Sequence, residues 1–159
     1  MPFIAGGYSC TWNALAIGQT ADGYRLTHQV FKRLITGDTY AETPQDAVYR
    51  GAEAAIAMRL IEYDAAAVQT IKWPYGTGAT PKWTLGLIGG LDVASSLVKS
   101  LVLTAIVGTT AATVPATLTA SKTILHENFP VEILFAPDLR EVPLRLRLYP
   151  TAGVFAVET

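Results

Sequence analysis

The chain is poor in the residues that staple or arm a small protein. Its single cysteine, Cys10, excludes an internal disulfide framework and any CxxC-type zinc site. Its two histidines, His28 and His126, stand far apart, and neither lies among carboxylates or thiolates at metal-ligand spacing. No metal and no cofactor is expected. Charge is also scarce: 16% of residues are charged, against roughly 25% in an ordinary soluble domain. Twelve basic and thirteen acidic residues leave a net charge of -1, without the positive excess of a domain that grips phosphates. The densest basic group, Arg140, Arg145 and Arg147, lies on an alternating segment and reads as a solvated sheet face. Met1–Gly7 has neither a basic n-region nor an apolar h-region, so no signal peptide is predicted. A long apolar run is missing too. Leu101 to Ala120 is uncharged but carries six threonines, Gly108 and Pro115. Only Leu101–Val107 is densely apolar, which is strand length and not the ~20 residues of a membrane helix.

Catalytic constellations are equally absent. Ser9, Ser95, Ser96, Ser100 and Ser121 lie outside any G-x-S-x-G elbow. Gly76–Lys82 has glycines and a lysine, but not the G-x-x-x-x-G-K-[ST] spacing, and it follows a helical pattern rather than a strand. The acids are scattered and announce no paired-carboxylate cleft. Trp12, Trp73 and Trp83 read as core or interface anchors. No enzyme is expected, because nothing meets the geometric requirements of a catalytic site in outline.

What the chain does have is apolar mass. Hydrophobic residues make up 50% of its 159 residues, and the mean hydropathy is +0.31. That composition excludes a disordered chain. One domain over residues 1–159 fits the length. A compact chain of this mass exposes about 7,700 Å² and hides about 69% of its unfolded surface. So much apolar content with so little charge predicts surface meant for a partner.

The pattern reads mainly as strands. Tyr8 to Arg33 suggests an opening hairpin with its turn at Gly18–Gly23, where Asp22-Gly23 tolerates positive φ. Thr36 to Tyr49 is irregular and polar, and Pro44 cannot sit inside a central strand. From Gly51 to Tyr63 the period is two: Ile56, Met58 and Leu60 share one face, and Glu53, Ala55, Ala57, Arg59 and Ile61 the other. Residues 64–73 form the one predicted helix, with Asp64 as N-cap, Val68 and Ile71 facing the sheet, and Pro74-Tyr75-Gly76 as its stop. The glycine-rich stretch 76–92, with a short strand expected at Trp83 to Ile88, is long enough to be a contact arm. Lys99–Val107, Leu118–His126, Val131–Phe135 and Val142–Tyr149 read as further strands, with Gly153–Val157 as an edge. The sum is a mainly β fold: a sandwich or barrel of two packed antiparallel sheets, one short flanking helix and long inter-subunit loops.

The order of these features resembles the tail tube proteins, or major tail proteins, of tailed bacteriophages. The resemblance rests on several stretches in sequence. The first are Gly18-Gln19-Thr20-Ala21-Asp22-Gly23 and Gly37-Asp38. Thr43-Pro44-Gln45-Asp46-Ala47-Val48-Tyr49-Arg50-Gly51 follows, and then the long strand ending Leu60-Ile61-Glu62-Tyr63. The short helix and a closing meander from Leu118 to Tyr149 complete it. It spans nearly the whole chain; residues 76–117 match least. It implies a virion protein, made in the host bacterial cytoplasm, whose copies form hexameric rings. The rings stack into a hollow tube that conducts DNA without reading its sequence. Other tail proteins would be partners, with or without a contractile sheath. The resemblance implies no membrane partner. Subunit and ring contacts would then fall at Thr36–Gly51 and Gly76–Leu91, with Gly37, Asp38, Thr43, Pro44, Tyr49, Gly76, Trp83 and Leu87 as candidate residues. Glu53, on the polar face of the long strand, is the candidate for the lumen. A capsid decoration protein, a tail terminator or baseplate ring component, and a ligand-holding barrel are the rival readings.

Overall fold

A computed structural model describes residues 7–61, 66–71, 73–75, 91–94, 96–106, 117–133 and 141–159. The strands run β1 (Tyr8–Trp12), β2 (Leu15–Ala16), β3 (Thr20–Thr36), β4 (Pro44–Leu60), β5 (Lys99–Ala105), β6 (Thr117–Leu125), β7 (Val142–Leu148) and β8 (Val157–Glu158). Helix α1 (Ala66–Ile71) lies between β4 and β5. The fold is mainly β and antiparallel, as the periodicities predict. All eight strands belong to one sheet, where two were expected. Its order is β2-β1-β5-β6-β7-β4-β3, with β8 also paired to β6.

A short connection forces this sheet to roll. β2 and β3 end the strand order, yet only Ile17, Gly18 and Gln19 join them. Laid flat, six strand spacings of ~4.8 Å would separate them by about 29 Å. The four peptide steps from Ala16 to Thr20 reach at most about 14 Å. The sheet must therefore curl until its ends nearly meet. Ile61 N–H donating to Gln19 O at 3.0 Å marks that approach. No ladder joins β2 to β3, so the barrel is not closed.

The inward face follows the alternation. Val142, Leu144, Leu146 and Leu148 of β7 are buried, and so are Ile56, Met58 and Leu60 of β4. Cys10, Trp12, Leu101, Leu103, Leu118 and Ala120 join them in one cluster, into which α1 inserts Ala67, Val68 and Ile71. Six residues are too few for a helix to persist alone, so this burial is what holds α1. The expected helix is thus present and faces the sheet through Val68 and Ile71; Asp64 lies outside the described residues. Thr123 is the one buried polar residue among those described. It sits where β6 gains an extra residue opposite Lys99–Leu101. Its hydroxyl accepts from Trp12 Nε1 at 3.1 Å and donates to Lys99 O at 2.8 Å.

Other sequence expectations need correction. The first tight turn is Asn13–Ala14, both at positive φ, between the paired Trp12 and Leu15. Asp22–Gly23 instead lies within β3, where the pairing register shifts between Thr20 and Tyr24. Val131–Ile133 is not a strand; Val131 packs on the core from irregular backbone. The terminal strand is Val157–Glu158, after a tight turn closed by Thr151 and Val154. The expected strand at Trp83–Ile88 falls outside the described residues. The largest correction is the segment read as irregular. β3 and β4 are each 17 residues long and pair from Thr20↔Leu60 to Thr36↔Pro44.

Candidate functional site

That long hairpin outruns the barrel. β7 supports β4 only between Ala54 and Leu60. The ten residues of β4 before Ala54 pair with β3 alone, making an arm about 34 Å long. Gly37, Asp38 and Thr43 belong to its tip, a single 3₁₀ turn at Asp38–Tyr40 stabilised by Thr43 N–H donating to Tyr40 O at 3.1 Å. Pro44 is the first residue of β4, a place where its missing N–H does no harm. Tyr49 lies further down, opposite Lys32. These five candidates come together on one projecting element. Gly76, Trp83 and Leu87 lie outside the described residues.

The arm exposes apolar side chains on both faces. Pairing puts Leu26, Val30 and Leu34 on the face continuous with the core, together with Tyr49 across from Lys32. Phe31, Ile35 and Val48 share the other face. All seven are exposed, Tyr49 at 63% and Leu34 at 58%, and Tyr40 at the tip reaches 65%. An isolated two-stranded hairpin is marginal in water, and unpaired strand edges invite pairing with another chain. The register shift at Phe31/Lys32 is a bulge at Arg50–Gly51, and Gly51 adopts φ +140 there. Sequence periodicity missed the arm for a physical reason: neither face is excluded from water, so neither shows clean alternation.

A charged cluster sits at the arm's base, on the outward face. Arg147 Nε donates to Glu127 Oε2 at 2.7 Å, and its terminal nitrogens reach Glu53 Oε2 at 3.4 Å. Arg147 also contacts Glu127 Oε1. Its guanidinium holds the Glu127 carboxyl below the usual carboxylate range. His126 Nδ1 accepts from Asn128 N–H at 3.3 Å. Burial pushes the His126 imidazole below its ordinary value, with Glu127 opposing and Arg147 and Arg145 reinforcing. Glu53 is therefore half-buried and ion-paired.

His28, His126, Glu53, Thr27, Gln29 and Arg145 line a pocket of about 90 Å³ beside this cluster. Among the described residues, no group of three His, Cys, Asp or Glu side chains is placed to hold a metal ion. Nor is any described helix long and apolar enough to cross a membrane. A second clamp lies nearby: Tyr75 and Tyr149 both donate to Asp92, at 2.8 and 2.9 Å. No protein-family model matches the chain, and no curated protein matches it.

Proposed function

We propose that this protein is a self-assembling structural component, the ring-forming subunit of a hollow phage tail tube. The exposed apolar arm carries this reading. Burying the arm against neighbouring copies would cover its exposed apolar side chains and protect its strand edges. Head-to-tail contacts of one kind close into rings or extend as filaments, and a stacked tube uses both. In such a tube Glu53 would face the lumen, its charge shared with Arg147. The protein would then act in the virion, with copies of itself and other tail proteins as partners and DNA as transient cargo. No catalytic step is assigned.

The test is to concentrate the purified protein and image it in negative stain. Hollow tubes or stacked annuli, with a central hole wide enough for duplex DNA, are the expected result. A homogeneous monomer or compact trimer at every concentration would overturn the reading; the trimer would favour a capsid decoration role.

A further inference from the structure

The arm leaves the barrel at a defined point. β7 supports β4 up to Ala54, so Glu53 is the first residue of β4 beyond that support. Two residues further out, Gly51 adopts φ +140 at the bulge, a conformation that residues with a side chain avoid. No described atom lies within 4 Å of a Cβ built at Gly51. The glycine therefore answers to backbone freedom and not to crowding. On the core side the arm's base stands off the body: Leu26, Ala52, Val154 and Phe155 line an open groove of about 370 Å³. The base has both a pivot and room to turn.

A side-chain tie spans that base on the outward face. Arg147 of β7 holds Glu53 and Glu127 together. His126 sits against it, its side chain only 10% exposed. Both ring nitrogens face N–H donors: Nδ1 lies 3.3 Å from Asn128 N, and Nε2 lies 3.3 Å from Arg147 Nη2. Neither of those groups can accept a hydrogen bond. A neutral ring offers its lone pair to one of them, and a charged ring has none to offer. The carboxylate within reach of a charged ring is that of Glu127, whose Oε2 lies 3.8 Å from Nδ1 and which Arg147 already holds. Burial keeps the proton off the ring, Glu127 and Glu53 favour it, and Arg147 and Arg145 oppose it. From β3, His28 lines the same small pocket.

We infer that His126 is a proton-operated latch on the arm. With the ring neutral, Arg147 keeps Glu53 tied to the body. With the ring charged, His126 takes Glu127 and repels the guanidinium. Glu53 is then released, and the arm turns about Gly51. The latch acts within one copy, so it goes beyond the assembly reading and does not depend on it. The direction of the arm, and any contact the arm makes, thus responds to acid. The buried ring binds its proton more weakly than an ordinary histidine, so release comes below about pH 6.5.

Distances between two spin labels test the latch on dilute, single copies of the full chain. Glu42→Cys places one label at the arm tip and Ser121→Cys the other on β6; both positions are exposed, while the native Cys10 is buried. Pulsed electron resonance is expected to give one narrow tip-to-body distance at about pH 7.5 and a broadened, shifted distribution towards about pH 5. His126→Gln keeps an acceptor but cannot charge, so its distribution should stay narrow throughout. Glu53→Gln removes the tie, so its distribution should be broad already at about pH 7.5. Circular dichroism at each pH should show the strands intact. Three results overturn the latch: a wild-type distribution narrow down to about pH 4.5, a His126→Gln chain that broadens as wild type does, or a Glu53→Gln chain as narrow as wild type at neutral pH. Loss of the strand signal together with the broadening also overturns it, making the change plain acid unfolding. A wild type that never assembles overturns the assembly reading and leaves this test unchanged.

Discussion

Thr123→Val removes a hydroxyl and almost no volume, so it deletes one buried polar group together with the two hydrogen bonds it makes. Trp12 Nε1 donates to that hydroxyl at 3.1 Å, and the hydroxyl donates to Lys99 O at 2.8 Å. Trp12 is 2% exposed and Thr123 is fully buried, so water cannot replace the lost acceptor. Leaving a buried donor unsatisfied costs about 1–3 kcal/mol. Of that range, about 2 kcal/mol would lower Tm by roughly 4–8 °C for a chain of this size. Urea melts of dilute, unassembled protein, followed by near-ultraviolet circular dichroism, read the change.

Trp12→Phe in the same background completes a double-mutant cycle. With the indole N–H gone, Thr123→Val strands nothing at that position. Its cost should therefore fall by about 1–2 kcal/mol relative to the wild-type background. A Thr123→Val protein within 0.5 kcal/mol of wild type would refute the claim that this contact is sealed from water. So would a cycle with no coupling.

Three further outcomes follow from other parts of the molecule. Leu34→Ser with Tyr49→Ser, on one face of the arm, should suppress assembly in sedimentation yet shift the monomer's urea midpoint little, because neither side chain touches the core; a large midpoint shift would mean the arm is packed on its own barrel. His126 binds its proton more weakly folded than unfolded, so its contribution is intact above about pH 6.5 and is lost as pH falls through the lower folded value. Glu127 adds a loss below about pH 4.5, and His126→Gln should flatten the upper part of a stability–pH curve measured by urea melts; an unchanged slope there would count against the buried neutral ring. Cys10 is 3% exposed, and burial pushes its thiol up to about 12. It should react with iodoacetamide only in denaturant, and rapid labelling of native protein would contradict its burial.

Sequence periodicity was informative wherever one face of an element is sealed from water. The run Leu144-Arg145-Leu146-Arg147-Leu148 alternates buried and half-exposed in the structure, as its letters do. Ile56, Met58 and Leu60 behave the same way. The signal failed where that seal is missing. Thr36 to Tyr49 carries apolar groups on both faces of an arm, so it looked like loop. Local turn rules failed where tertiary context overrode them. Asp22-Gly23 has the stronger turn signature, yet the tight turn is at Asn13–Ala14, between β2 and β1, the latter held in turn by β5. Arg147 and Arg145, which has no ion pair among the described residues, cannot be told apart from sequence, since that distinction depends on Glu53 and Glu127, 94 and 20 positions from Arg147.

The Asp92 clamp has a consequence for how this protein can change. Asp92, which precedes β5, accepts from the hydroxyl of Tyr75, which follows α1. Tyr149, directly after β7, donates to the same carboxylate. Three positions far apart in the chain thus share one carboxylate. A change at Asp92 therefore reaches the segment after α1, the segment before β5 and the end of β7 at once, so these three places must vary together or not at all.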